Sequence, residues 1–158
     1  MKKLLILTLA VLSFAACNQV AKQPEQNKPS QILPIESYNF TEKINQKPVV
    51  IAFMAGFCGW CKKMLPYVDE LAGQVPAEQA DVIIGFLDED ASSLVDLEPV
   101  KEAKNVRIYY GAGNLMQEYG VRGFPTIILF NKGEQVETWN GYSPEHVAGI
   151  LEALKELK

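Results

Sequence analysis

Cys58-Gly59-Trp60-Cys61 holds two of the chain's three cysteines. Side chains three apart lie on one side of a helical turn, so these thiols can bridge with little distortion and can pass the bridge to other sulfurs. The third, Cys17, ends a leader segment, so Cys58 and Cys61 have no other cysteine in the folded part. They pair with each other, bind something, or stay free. At a helix N-terminus Cys58 meets unpaired backbone N–H groups and the positive end of the dipole, which favour a thiolate and make it the attacking sulfur. Cys61, one turn deeper on the apolar face, is placed to resolve the mixed disulfide. Such exchange needs no cofactor beyond the cysteine pair. Trp60 sets an aromatic surface between the two sulfurs, suited to a client chain.

Other uses of the pair are weaker. A structural disulfide closing so short a loop gains little. No metal site is expected, because zinc would need two more ligands and there is no second pair at this spacing. Lys62, not histidine, follows Cys61, which excludes haem attachment. A binding module with a passive cysteine switch, or a Cu(I) pair, stays open as an alternative function, since thiolates suit Cu(I). The lone histidine, His146, is read as exposed and structural, and Asp88-Glu89-Asp90 as a solvated strand end without calcium-loop spacing.

The elements that must position this chemistry follow from periodicity. Val49 to Met54 is a continuous apolar run, expected as a strand buried on both faces. From Cys61, the residues Met64, Leu65, Val68, Leu71 and Ala72 recur at helical spacing, which puts the motif at a strand-to-helix junction. Val82 to Leu87 predicts a second buried strand, Leu94 to Lys104 a helix started or interrupted by Pro99, and Val106 to Tyr110 a short strand. Leu115 to Tyr119 predicts one or two helical turns ended by Gly120. Ile127 to Phe130 and Val136 to Trp139 flank a turn signal and predict a hairpin. Ser143-Pro144 predicts the cap and first residue of a last amphipathic helix. The sum is a three-layer α/β domain.

Ahead of the domain, Met1-Lys2-Lys3 is basic, Leu4 to Phe14 is nearly all apolar, and Ala15-Ala16-Cys17 is a small-residue exit, the pattern of a secretory signal. The run is too short for an uninterrupted membrane span. Leu12 to Cys17 resembles a bacterial lipobox, with Phe14 where leucine is usual. That resemblance implies residues 1–16 as signal peptide and Cys17 as a lipidated cysteine anchoring the protein to the membrane of the bacterial cell envelope, facing the periplasm. Residues 18–34 are polar and read as a flexible tether, leaving 35–158 as one domain. Loss of Lys2 and Lys3 would leave 13 basic against 19 acidic residues, a net charge of −6 that argues against nucleic acid as a partner.

The domain resembles the thioredoxin superfamily over Phe40 to Leu157. The likeness rests on the apolar strand before the motif, C-x-x-C followed by Lys62, Pro66 five residues after Cys61, Asp69-Glu70-Leu71-Ala72, the stretch Tyr119 to Thr126 containing Gly-Phe-Pro-Thr, and the terminal hairpin and helix. It implies a thioredoxin-like fold with a central mixed sheet, a cis Pro125 facing the cysteines, and Phe124 offering its backbone to an extended client strand. It implies a thiol–disulfide oxidoreductase, a monomer, acting on cysteines of exported proteins and recharged by a membrane thiol donor or acceptor. There are 63 residues between Cys61 and Pro125, and the surplus, about Ala91 to Tyr110, resembles the helix–strand insertion of TlpA-like proteins, which leans toward reduction. Ala52 stands where thioredoxins bury an acid, the next strand has no lysine, and the dipeptide is Gly59-Trp60 and not Gly-Pro.

Overall fold

The computed structural model describes residues 31–157; Cys17, the leader and most of the tether lie outside them. A six-stranded sheet is built from β1 (Ile32–Pro34), β2 (Val49–Met54), β3 (Asp81–Phe86), β4 (Arg107–Tyr110), β5 (Thr126–Asn131) and β6 (Glu134–Asn140), in the order β1-β4-β3-β2-β5-β6. β1, β4, β3 and β2 run parallel, β5 runs antiparallel to β2, and β6 antiparallel to β5, so the sheet is mixed as the resemblance implies.

β2 is buried at every position. Alternation sends its side chains to two cores. Val50, Ala52 and Met54 join Cys61, Met64, Leu65, Val68 and Leu71 of α2 (Gly59–Gln74), together with Ile150 and Leu154 of α5 (His146–Glu156). Val49, Ile51 and Phe53 join Phe40 and Ile44 of α1 (Phe40–Gln46) and Met116 of α4 (Gly113–Glu118) on the opposite face. Each large side chain so buried contributes roughly 1.5–3 kcal/mol. The result is a thioredoxin-like, three-layer α/β/α domain.

Some expectations shift. Ile32–Pro34, assigned to the tether, pairs with β4 in the register Ile32↔Ile108, so the folded part starts before Ile35. α1 has no signal in the sequence, because seven residues with only Phe40 and Ile44 buried carry too little periodicity. The helix expected over Leu94 to Lys104 shortens to α3 (Glu98–Glu102), with Pro99 in its first turn, and a 3-10 turn at Ala91–Ser93 precedes it. Ser143 and Pro144 precede the regular part of α5; the Ser143 carbonyl accepts from the His146 N–H and its hydroxyl from the Glu145 N–H, a turn that leads into the helix. Among the described residues no helix is long and apolar enough to cross a membrane.

The insertion is pinned to α2 by one carboxylate. Asp69 Oδ1 accepts from the backbone N–H groups of Lys104, Asn105 and Val106 at 3.0, 2.7 and 2.8 Å. These bonds fix the turn from which β4 enters the sheet between β1 and β3.

At the opposite end of β2 from the cysteines lies a buried charge. Asp81, paired in register with Val49, accepts from the Tyr38 hydroxyl at 2.8 Å and lies 2.7 and 2.9 Å from Lys47 Nζ and Arg107 Nη2. Burial pushes its carboxyl up, but the hydrogen bonds from Lys47 and Tyr38 and the two nearby cations outweigh that and hold it below the ordinary carboxylate value. Burial, and then the bond to Asp81, push the Tyr38 phenol up, so it stays a donor. A depressed folded-state value stabilises the fold above the unfolded pKa of about 3.9 and is lost as pH falls through the folded one. Asp81→Asn is therefore expected to cost about 1–3 kcal/mol in urea unfolding at pH 7, with the gap to wild type closing below about pH 4.

Candidate active site

β2 runs straight into the cysteine motif, and β5 starts beside the end of β2. Their antiparallel register pairs Phe53 with Thr126, so Ala55 to Cys58 leaves the sheet at the end where Gly123 to Pro125 enters it. The two motifs are thereby neighbours, and the edge-on contact of Phe57 with Phe124, ring centroids 6.4 Å apart, joins them. The Phe124–Pro125 peptide is cis, as the resemblance implies.

Cys58 is the N-cap of α2. Its backbone is extended, its Sγ accepts from the Cys61 N–H at 3.2 Å, and it is half-buried. Cys61, one turn on, is 1% exposed in the core beneath α2. The two are joined as a disulfide with their Cα atoms 5.2 Å apart. Exposure thus separates the sulfurs: Cys58 can be approached, whereas Cys61 is reached through Cys58.

The insertion walls off the buried sulfur. Leu97, Pro99 and Val100 close with Ala55, Leu65 and Phe86 around Cys61. Ala52 is fully buried on the same core face as Cys61, with no acid in its place. Among the described residues, no group of three or more His, Cys, Asp or Glu side chains is gathered to hold a metal ion.

Trp60 is 56% exposed beside the disulfide, yet it is not a loose platform. It stacks on Tyr142 at 5.5 Å and 23°, and Lys63 Nζ lies 4.4 Å from the ring centre. Phe57, 77% exposed, flanks the cysteines on the Phe124 side. The disulfide therefore sits between the aromatic pairs Phe57–Phe124 and Trp60–Tyr142. Pro125 is buried and Phe124 partly so, with Phe124 packed against both cores. The sequence gives no sign of Tyr142, which reaches the site only because the turn before α5 folds back over α2.

Two expectations about polar residues change. His146 is half-buried, its Nε2 3.2 Å from the Gly141 carbonyl, so it fastens the turn before α5. Asp88 is not a solvated strand end: its Oδ2 accepts from the Gly56 N–H at 2.8 Å, two residues before Cys58. Only folding brings these residues together, so no local signal announces the contact.

The chain is similar to known proteins. The thioredoxin family model matches residues 31–109, half of the chain, from β1 through most of β4. Protein disulfide-isomerase of Ricinus communis is 30% identical over 148 residues, 92% of this chain but 26% of the relative. The chain thus spans about a quarter of the length of the curated relatives it matches first. Among solved structures, the pneumococcal exposed lipoprotein thioredoxin Etrx1 of Streptococcus pneumoniae is 27% identical with a TM-score of 0.57, covering 73% of this chain and 89% of that one. A secreted Mycobacterium tuberculosis disulfide oxidoreductase homologous to the DsbE of E. coli shares the fold, with a TM-score of 0.58 at 17% identity over 71% of this chain and 85% of its own. With the helix–strand insertion present as α3 and β4, the cysteine pair capping α2 and a cis proline at the same end of the sheet, the chain belongs to the thioredoxin family.

Proposed function

We propose that this protein is a thiol–disulfide oxidoreductase of the bacterial cell envelope that exchanges the Cys58–Cys61 disulfide with cysteines of exported client proteins, acting mainly as a reductase. The observation that carries this is the division of exposure within the disulfide, a half-buried Cys58 at a helix N-terminus and a buried Cys61.

In the reducing direction the Cys58 thiolate attacks one sulfur of a client disulfide. A Cys58–client bond forms, and the other client sulfur leaves as a thiolate. Cys61, having lost its proton, then attacks Cys58 Sγ; the Cys58–Cys61 bond forms and the second client thiolate is released. Two electrons pass to the client, and a membrane thiol donor restores the dithiol; oxidation of a client runs the same steps backward. The helix N-terminus stabilises the Cys58 thiolate as the attacking group in reduction and as the leaving group of the mixed disulfide when a client is oxidised. An extended client strand lies along Phe124 and Pro125, with Trp60 and Phe57 as walls around its cysteine. The cysteine pair is the whole redox group.

The envelope location rests on the leader pattern and on Cys17 as the lipid-attachment residue, with residues 18–31 as tether. The relative from Streptococcus pneumoniae, described as an exposed lipoprotein thioredoxin, supports that anchoring. The lean toward reduction rests on the insertion between β3 and α4.

Three outcomes are expected. Cys61→Ala accumulates mixed disulfides through Cys58, seen as reducible high-mass adducts on non-reducing gels; no adduct, together with a wild type that neither reduces nor oxidises test disulfides, refutes the exchange chemistry. The reduction potential of the pair, from equilibration with glutathione, falls below about −200 mV, whereas a value near about −120 mV reverses the direction. Cys17→Ala moves the protein from the membrane fraction to the soluble one and abolishes labelling by a clickable fatty acid; unchanged fractionation and labelling refute the anchor.

A further inference from the structure

The segment Ala55-Gly56-Phe57 delivers Cys58 to the start of α2. Backbone bonds hold its two ends: the Cys58 N–H donates to the Ala55 carbonyl at 3.0 Å, and the Leu87 N–H to the Met54 carbonyl at 2.8 Å. Between them the Gly56 N–H is satisfied by a side chain, Asp88 Oδ2 at 2.8 Å. The fit is close, because a Cβ on Gly56 would lie 2.7 Å from Asp88 Oδ1 and 3.3 Å from Leu94 Cδ2. A side chain on Gly56 would push the carboxylate aside.

The carboxylate is itself held. The Ser93 hydroxyl shares its one proton between Asp88 Oδ1 at 3.2 Å and the Asp90 carbonyl at 3.0 Å, and the 3-10 turn carrying Ser93 is capped by Asp90, which accepts from the N–H groups of Ser92 and Ser93. Leu94, next in the chain, is fully buried in the core that contains Cys61. The backbone of Asp88 is fixed as well, its carbonyl accepting from the Gly111 N–H at 2.7 Å. A continuous chain of bonds thus runs from the start of the insertion through Asp88 to the backbone two residues before Cys58.

We infer that Asp88 is a positioning residue for the redox pair: its hydrogen bond to Gly56 holds Cys58 at closing distance from Cys61, and Ser93 of the insertion keeps the carboxylate in place. Holding two groups at reaction distance raises their effective concentration and favours the intramolecular bond over mixed disulfides with a small thiol. Loosening the Gly56 segment shifts the pair toward the dithiol. The part acted on by Asp88 is geometry, so a neutral side chain able to accept the same N–H serves equally well. This inference rests on Cys58–Cys61 being the redox pair, but its readout uses the pair alone, without a client.

The test is the equilibrium constant of the full-length protein with reduced and oxidised glutathione, measured by alkylation of Cys58 and Cys61, with urea unfolding recorded in parallel. Asp88→Ala is expected to shift the constant toward the dithiol by about threefold or more, while Asp88→Asn, whose amide oxygen still accepts from Gly56, stays within about twofold of wild type. Ser93→Ala, at an exposed position that leaves the fold intact, shifts it the same way by about twofold. The inference is overturned by a wild-type constant in Asp88→Ala, by an equal shift in Asp88→Asn, which would assign the effect to charge, or, where Asp88→Ala does not fold, by a wild-type constant in Ser93→Ala. A wild-type pair that glutathione neither reduces nor oxidises refutes the proposed function instead.

Discussion

The antiparallel pairing of β2 with β5 is the constraint on which the rest of the site depends. Its register, with Phe53 opposite Thr126, makes the cysteine segment leave the sheet where the proline segment enters it. A slip of one residue would turn the side chains of β2 to the opposite faces, exchanging the sets that pack beneath α2 and beneath α1 and α4. Because both faces of β2 are filled, that slip would disturb two cores at once. The position of the chemistry is thus guaranteed by apolar burial well away from the sulfurs.

The two ends of the central strands are built on different physics. At the Val49 end, Asp81 is surrounded by Tyr38, Lys47 and Arg107, so a buried charge is fully answered and the site is fixed. At the Met54 end, the side-chain bonds to the cysteine segment are directional and uncharged on the donor side: the Asp88 carboxylate accepts from the Gly56 N–H, and Cys58 Sγ from the Cys61 N–H. Apolar walls from Leu97, Pro99 and Val100 cover Cys61, while Phe57 and Trp60 remain exposed on either side of Cys58. An apolar shell disfavours charge on the inner sulfur, and the helix N-terminus favours it on the outer one, the order that the proposed exchange requires.

The insertion gains a structural meaning from its two fastenings. Asp69 on α2 holds its end near β4 through three backbone N–H groups, and Ser93 near its start bonds Asp88. Both fastenings lead back to the cysteine helix or the segment before it. A surface addition to the fold is in this way part of the wall and the support of the active sulfurs.

Much of this was readable in the residues. The unbroken apolar run Val49 to Met54, the helical spacing from Cys61 onward and the turn signal at Asn131 to Glu134 each specify a local structure, because backbone preference and burial period are carried by adjacent residues. Cysteine spacing likewise placed the pair at a helix start without coordinates. The short elements were not legible: β1 has three residues and exists by pairing with β4, and α1 has a single buried pair at helical spacing. Nor were the contacts between distant residues. Asp88 meeting Gly56, Tyr142 meeting Trp60 and Asp81 meeting Arg107 depend on strand register and on how the turn before α5 folds back, neither of which adjacent residues encode. Sequence alone placed the two sulfurs one helical turn apart at the start of a helix; tertiary structure decided what holds them in place, since support comes from residues brought together only when the sheet closes.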